Sequence, residues 1–227
     1  MNTASLHWHL LEDAEAVARE ASRCILNAAA LAIASHGRFR IVLAGGRTPE
    51  QAYRLLAAAD SNWARWEIYY GDERCLSENS PERNSLMVSR VWLDHVPIPA
   101  DQVHPIPAQL GPVEAARRYA AQVAAALPFD LVLLGLGEDG HTASLFPDQP
   151  HPGNDLVQAV FAAPKPSPER VSLSVHALSN THELLVLVTG AGKRAAVAAW
   201  RRGARLPIGQ LHPVAGIDVL IDRLAHD

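Results

Sequence analysis

The sequence FDLVLLGLGEDGHTASLFP, residues 129–147, joins an apolar run to a turn rich in glycine and charge. Residues 129–134 are almost uninterrupted Leu and Val after one Asp, a pattern typical of a strand buried on both faces of a parallel sheet. Three glycines and three polar residues follow this run: Gly135, Gly137, Gly140, Glu138, Asp139 and His141. Because ligands of open parallel α/β sheets bind beyond the carboxyl ends of strands, the stretch predicts a central strand whose terminal loop carries chemistry.

The same glycines spell G-x-G-x-x-G, the phosphate-binding fingerprint of dinucleotide-binding proteins. That fingerprint needs a full helix directly after the glycines, with its N-terminus at the pyrophosphate. Pro147 leaves room for at most about two helical turns, so the sequence argues against a nucleotide site. His141 alone is compatible with a hydrogen-bonded loop histidine, but Asp139 and Gly140 beside it at a strand end favour a general base.

The composition indicates an ordinary soluble globular protein, with 227 residues of which 48% are hydrophobic and 19% charged. We expect a single domain over residues 1–227. The formal net charge of −4 argues against a nucleic-acid binder, and an anionic substrate would require locally placed Arg and Lys. Cys24 and Cys75 show no metal or redox spacing, and no leader or membrane-length apolar run is present, so we expect a cytoplasmic protein without membrane insertion.

Hydrophobic periodicity predicts strands and helices that alternate along the chain. The predicted helices are residues 13–34, 49–59, 80–91, 114–126 and 190–202, and the predicted strands are residues 40–44, 66–70, 129–134, 158–162, 171–175, 184–188 and 217–221. A short strand at 103–106 and a loop at 148–154 complete the assignment. This order predicts a layered α/β/α fold with a mainly parallel central sheet. His7 and His9 could share one strand face, but no nearby Cys or carboxylate completes a metal site.

The loop GGRTP, residues 45–49, follows a predicted strand and opens a predicted helix. Thr48 as N-cap, Pro49 at the first helical position and Gln51 three residues after the cap give a purely structural account. The functional account is a phosphate site, because Gly45 and Gly46 free backbone N–H groups at a helix N-terminus and Arg47 adds positive charge. We favour phosphate binding; the loop lacks the Lys of a nucleotide P-loop.

Charged residues follow three further predicted elements. Asp72 and Arg74, in the sequence GDER, are interpreted either as a solvated turn or as residues facing the same crevice as His141. The proline-rich segment 164–170 cannot be helical and is predicted to hold Lys165 and Arg170 outward. Lys193 at a helix start is unfavourable for the helix dipole, which a bound anion would compensate.

The sequence resembles the 6-phosphogluconolactonases and, more distantly, the glucosamine-6-phosphate deaminases of the same fold. The resemblance covers about residues 40–220 and rests on five ordered motifs: GGRTP at 45–49, GDER at 71–74 followed by Asn84, GLGEDGHTASLFP at 135–147, PKP at 164–166 with RV at 170–171, and TGAGK at 189–193. One departure is Arg47, where many members carry Ser, which leaves open whether this side chain contacts a phosphate.

The resemblance implies hydrolysis of 6-phospho-D-glucono-1,5-lactone to 6-phosphogluconate in the oxidative pentose phosphate pathway, without a metal or cofactor. The resemblance implies a catalytic His141 and a phosphate-contacting loop formed by Gly45, Gly46 and Thr48. It places Arg170 and Lys193 at phosphate- or substrate-binding positions, and Asp72 and Arg74 on the crevice wall. Arg47 and Asn84 are further candidates for substrate binding. The expected partner is the small sugar-phosphate lactone, with no nucleic acid, and the expected state is a monomer or weak homodimer.

Residue chemistry supports the same reaction. A His with an ordinary pKa near 6.5 can activate water, and either Asp139 or Asp72 could fix its tautomer. Arg74 or loop N–H groups are candidates to stabilise the oxyanion, and no G-x-S-x-G nucleophile motif is present. The alternatives are a deaminase or isomerase acting on an amino sugar phosphate, for which an M-D-E-Y-like motif would be expected at residues 70–74, and a non-catalytic sugar-phosphate sensor.

Overall fold

The computed structural model describes residues 5–150 and 155–226, so residues 151–154 of the predicted loop lie outside the described part. Strands and helices alternate along most of it, as the periodicity predicts. The strands are β1 (Leu6–Leu11), β2 (Phe39–Leu43), β3 (Trp66–Tyr70), β4 (Asp72–Arg74), β5 (Phe129–Gly135), β6 (Val157–Val160), β7 (Arg170–Leu173), β8 (Thr181–Val188) and β9 (Ile217–Asp222). The α-helices are α1 (Ala14–His36), α2 (Arg47–Leu56), α3 (Asn84–Val91), α4 (Pro112–Ala126), α5 (Val175–Ser179), α6 (Arg194–Arg201) and α7 (Arg223–His226).

Six strands form one parallel sheet in the order β1-β9-β8-β5-β2-β3. The α/β prediction with a mainly parallel central sheet is therefore confirmed. The chain runs outward in opposite directions from the adjacent strands β2 and β5, because β2 leads to β3 and β5 leads to β8. This pair is a topological switch point, and the crevice outside its carboxyl ends is where such sheets bind ligands.

Two buried tyrosines complete the hydrogen bonding where β2 and β3 end. The hydroxyl of Tyr53 on α2 donates to the carbonyl of Ala44 at 2.8 Å and accepts from its N–H at 3.0 Å. The hydroxyl of Tyr119 on α4 bonds both backbone groups of Tyr70 in the same way. Buried backbone groups left by a departing strand are costly without partners, so each tyrosine fixes the point at which the chain turns into the crevice.

A second sheet, which the hydrophobic periodicity did not predict, contains β4, β7 and β6 paired antiparallel. Asp72 and Glu73 are buried in it, so the interpretation of GDER as a solvated turn is wrong. Glu73 accepts hydrogen bonds from the N–H groups of Asn84 and Ser85 at 2.8 Å each. This remote carboxylate caps α3, which explains why the helix begins at Asn84 and not at residue 80.

Three other local predictions are corrected by tertiary pairing. The strand predicted as half-buried at 171–175 is β7, whose four residues are all buried. The strand predicted at 103–106 is a single bridge between Val103 and Ile68. The segment around His7 and His9 is the edge strand β1, and its partner β9 brings Asp218 to 2.7 Å from Nε2 of His9.

The described residues contain neither a metal-ligating cluster nor a membrane-spanning helix. Over residues 5–150 and 155–226, no group of three or more His, Cys, Asp or Glu side chains is arranged to hold a metal ion, the group around Asp218 included. In the same ranges, no helix combines the length and apolar character needed to cross a membrane.

Candidate active site

A cleft of about 770 Å³ opens at the carboxyl ends of the parallel strands. Loops after β2, β3, β5 and β8 line it, together with the end of β9. All of the predicted site residues except Asp139 lie on its walls: Gly45, Gly46, Arg47, Thr48, Asp72, Arg74, Asn84, His141, Arg170 and Lys193. All five sequence motifs, separated by up to about 150 residues, thus contribute residues to one crevice.

His141 and Asp139 form a hydrogen-bonded pair, with Nδ1 of His141 2.5 Å from Oδ1 of Asp139. This settles the geometry that the sequence left open, because no hydrogen bond joins Asp72 to His141 among the described residues. Burial lowers the pKa of His141, and the Asp139 carboxylate opposes that shift without cancelling it. For Asp139, partial burial is the largest single effect and raises the pKa, but the hydrogen bonds and the charge of His141 together outweigh it, so the pKa is lowered.

The tautomer of His141 follows from this contact. A carboxylate only accepts, so Nδ1 carries the proton of the neutral ring and Nε2 keeps its lone pair. In the described part of the chain, Nε2 of His141 has no hydrogen-bond partner, while His141 itself lines the cleft. The arrangement can therefore take a proton from a water molecule in the cleft.

The turn that holds this pair depends on Gly137. A Cβ atom on Gly137 would lie 2.0 Å from Nδ1 of His141 and 2.5 Å from Oδ1 of Asp139, so only glycine leaves room. The N–H of Gly137 donates to the carbonyl of His141 at 2.7 Å and closes the turn. Ala143 has φ 48°, a strained left-handed conformation that is often found at functional sites. No helix follows β5 within residues 136–150, in agreement with the prediction that a full helix has no room before Pro147.

The GGRTP loop differs from its predicted capping box. Gly46, with φ 107°, precedes the first helical residue, Arg47, so Thr48 and Pro49 lie inside α2. The Thr48 hydroxyl is therefore not the N-cap; it pairs with the hydroxyl of Thr189 at 2.6 Å, across the cleft. Because of the Gly46 conformation, α2 begins two residues before the predicted start at residue 49. Its N-terminal N–H groups lie at the cleft wall, where an anion is favoured. Arg47 is exposed beside them.

Asp72 and Asn84 form a buried scaffold. The amide nitrogen of Asn84 donates to the carbonyl and to Oδ1 of Asp72, at 3.0 and 3.1 Å. The hydroxyl of Ser144 donates to Oδ2 of Asp72 at 2.6 Å. A Cβ atom on Gly45 would lie 2.1 Å from Oδ1 of Asn84, so the amide packs directly against the GGRTP loop. These contacts tie the loops after β2, β3 and β5 together.

Arg170 is buried, with 4% of its surface exposed, and the prediction that it points outward is wrong. Its guanidinium donates to the carbonyls of Ser167 at 2.9 Å, Pro166 at 2.6 Å and Lys165 at 3.3 Å. A proline-rich segment has carbonyls without helical or strand partners, and the five-donor fork of arginine satisfies several of them together. Arg170 therefore fixes the course of this segment, and its Nη1 also lies 3.5 Å from Ser144 Oγ.

Two further cations line the cleft. Arg74 donates through Nη1 to the carbonyl of Glu82, and its buried Nε has no partner among the described residues. Lys193 ends a short 3₁₀ turn directly before α6. Burial lowers the pKa of Lys193, and the nearby Glu138 carboxylate works in the opposite direction. A cation already short of water gains from a substrate anion.

The turn that carries Lys193 is fixed by Asp222 at the end of β9. Both carboxylate oxygens of Asp222 lie 3.0 Å from the N–H of Gly190, and Oδ1 also accepts from Ala225 at 2.8 Å. Asp222 is 1% exposed, so these bonds compensate its burial. Its role is to position the turn.

Comparison with known proteins gives the same family as the motifs. A model of the family of glucosamine-6-phosphate isomerases and 6-phosphogluconolactonases matches residues 12–220. The chain belongs to this family. It is 38% identical over 214 residues to a 6-phosphogluconolactonase of Streptomyces coelicolor, with 85% of this chain and 81% of that protein covered. The corresponding identity to a Mycobacterium tuberculosis 6-phosphogluconolactonase is 36% over 211 residues, covering 86% and 85%.

Solved structures agree. The crystal structure of a 6-phosphogluconolactonase from Thermotoga maritima superposes with a TM-score of 0.90 at 26% identity, covering 96% of this chain and all of that one. The resemblance of this sequence to the family is therefore confirmed over most of its length.

Some residues that shape the site in this family member were not identified from sequence: Ser144, Thr189, Asp222 and Glu73. Ser144 and Thr189 lie inside quoted motifs, so their position was visible although their partners were not. Asp222 and Glu73 act through backbone N–H groups far along the chain. Sequence patterns give no signal for such bonds.

Proposed function

We propose that this chain hydrolyses 6-phospho-D-glucono-1,5-lactone to 6-phosphogluconate, with His141 as general base. The observation that carries the proposal is the His141–Asp139 pair at the end of β5, in a cleft whose other walls present cations and a helix N-terminus. Relatives named 6-phosphogluconolactonase, with more than 80% of each chain covered, support the same substrate.

The first step is attack by water on the lactone carbonyl. Nε2 of His141 takes one proton from the water as its oxygen bonds to the carbonyl carbon, which produces a tetrahedral oxyanion and a protonated imidazole. Asp139 stabilises that imidazolium and holds the ring in place. Arg74, a cation that lines the cleft, is our candidate to stabilise the oxyanion.

The second step opens the ring. The bond between the carbonyl carbon and the ring oxygen breaks, and the imidazolium returns its proton to the departing oxygen as general acid. The product carries a new carboxylic acid, which loses its proton to water at neutral pH. His141 ends the cycle neutral, so the reaction needs only water and proton transfer, and we propose that no metal or cofactor takes part.

The phosphate end of the substrate has a separate site in the same proposal. We place the phosphate against the N-terminus of α2 and Lys193, which face the cleft from opposite sides of the switch point. Aligned N–H groups and a partly buried ammonium are each favourable for a dianion. Arg47 is exposed on the same wall and is available as a further contact.

Glucosamine-6-phosphate deamination is the alternative reaction within the family. It would be expected to carry an M-D-E-Y-like motif, but residues 70–74 read YGDER. We also keep the single domain, the monomeric or weakly dimeric state and the cytoplasmic location as predictions.

The test is hydrolysis of freshly generated 6-phosphogluconolactone, measured as acceleration over the spontaneous rate. Ammonia release from glucosamine 6-phosphate is measured in parallel. We expect acceleration with the lactone only, and a His141→Ala variant with an unchanged circular dichroism spectrum but little acceleration. Ammonia release without lactone hydrolysis would assign the chain to the deaminases.

A further inference from the structure

Glu138 differs from the other carboxylates that line the cleft. Asp13 accepts from the N–H of Ala16 at 2.8 Å and caps α1. Asp72 and Asp222 each use both carboxylate oxygens in hydrogen bonds with the protein. Across residues 5–150 and 155–226, no donor forms a hydrogen bond with Glu138, although it is exposed on the cleft wall. Its acceptor oxygens are therefore available to a ligand.

The Glu138 side chain crosses from one strand end to another. Its backbone follows Gly137, whose Cα lies against the imidazole of His141. Its carboxylate lies over Gly192, where an added Cβ atom would be 2.7 Å from Oε1. Gly192 directly precedes Lys193, and the charge of Glu138 influences that lysine. Glu138 thus lies along the path from the His141 pair to the phosphate-binding lysine.

A sugar lactone phosphate offers both kinds of hydrogen-bonding group. Its phosphate, carbonyl and ring oxygens only accept at neutral pH, and its ring hydroxyls are its donors. Most of the cleft presents donors, namely the N-terminus of α2, Arg74 and Lys193, while the Thr48 and Thr189 hydroxyls bond each other. A buried polar group of the ligand needs a partner, and a carboxylate is the stronger acceptor for a hydroxyl.

We propose that Glu138 is a specificity-determining residue that accepts a hydrogen bond from a ring hydroxyl of the bound sugar lactone. This inference rests on the function proposed above. It assigns the hydroxyls to the wall between His141 and Lys193, and it predicts that phosphorylated ligands without hydroxyls gain nothing from Glu138.

The test compares two competitive inhibitors, 6-phosphogluconate and inorganic phosphate, in Glu138→Ala and Glu138→Gln. We expect Glu138→Ala to raise the inhibition constant of 6-phosphogluconate and the KM of the lactone by roughly tenfold or more. The constant for inorganic phosphate should stay the same or fall, because a negative charge beside Lys193 is removed. Glu138→Gln, which keeps a neutral acceptor oxygen, should lie between the wild type and Glu138→Ala for 6-phosphogluconate.

Asp60→Asn provides the control, since Asp60 is exposed, loses the same charge and does not line the cleft. Equal increases for both inhibitors would overturn the proposal, because Glu138 would then act only by holding Lys193. Unchanged or lower inhibition constants for both ligands would also overturn it, because Glu138 would then only repel the bound anions. If the wild type fails to hydrolyse the lactone, the proposed function fails, while calorimetric affinities for the same two ligands still test Glu138.

Discussion

Replacing Gly137 with alanine tests whether catalysis depends on the position of the His141 imidazole. Gly137 does not have a positive φ, so alanine is compatible with its backbone and the only conflict is steric. The new Cβ would lie 2.0 Å from Nδ1 of His141, whereas ordinary contacts are about 3.5 Å, so the ring must move by roughly 1.5 Å. It would also lie 2.5 Å from Oδ1 of Asp139, so both members of the pair are displaced.

A misplacement of about 1 Å in a catalytic group can cost on the order of 100-fold in rate. We therefore expect kcat of Gly137→Ala for the lactone to fall by at least about that factor. KM should change little, because the collision does not involve α2 or Lys193. Gly209→Ala is the matched control, since its nearest added contact is 3.7 Å and it lies outside the cleft lining. Wild-type kcat in Gly137→Ala, with its melting temperature unchanged, would refute the requirement for this His141 position.

Three further predictions concern the pH dependence of the reaction and the cations Lys193 and Arg170. Burial lowers the pKa of His141, and the neutral ring is the base, so kcat/KM should fall only as the pH drops below about 6.5. Asp139→Asn removes the carboxylate that opposes this lowering of the pKa. The fall in kcat/KM of that variant should therefore occur at a still lower pH, and its kcat should be reduced. An acid limb that moves upward would contradict the pairing. Lys193→Ala should raise KM for the lactone at nearly constant kcat in steady-state assays, and a loss confined to kcat would place Lys193 at the reacting carbonyl. Arg170→Lys keeps the charge but loses the guanidinium that binds three carbonyls. It should lower the melting temperature by several degrees, nearly as much as Arg170→Ala. A melting temperature of Arg170→Lys equal to that of the wild type would show that the charge alone matters.

Features encoded by a few consecutive residues were predictable from sequence. Strand β5 is an apolar run of the right length, and helix α1 has an Asp at its start and Gly37, with φ 84°, at its end. The convergence of the motifs followed from one rule, since parallel strands bring their carboxyl ends to the same edge. Confirmation of the parallel sheet therefore places most of the candidate residues on one cleft.

Features that depend on one torsion angle or on a distant partner were not predictable. The capping box at Thr48 was consistent with the sequence, but with a positive φ at Gly46 helix α2 begins at Arg47. Thr48 therefore lies inside the helix, and its hydroxyl forms a hydrogen bond with that of Thr189. The choice between Asp139 and Asp72 depended on the course of the turn after β5. Arg170 was predicted to point outward because it follows a proline-rich segment. The carbonyls of that segment lack helix or strand partners, and the buried guanidinium donates hydrogen bonds to them.

The carboxylates around the cleft explain how an acidic protein can present an anion site. A carboxylate that loses water must gain donors, and Asp72, Glu73 and Asp222 obtain them from Asn84, Ser144 and backbone N–H groups. These donors disperse the negative charge while fixing the loops that carry Arg74, His141 and Lys193. Two carboxylates remain for chemistry, Asp139 against the imidazole and Glu138 without a protein donor in the described residues. Carboxylates therefore build the scaffold where they are buried, whereas the two to which we assign roles in the reaction are exposed.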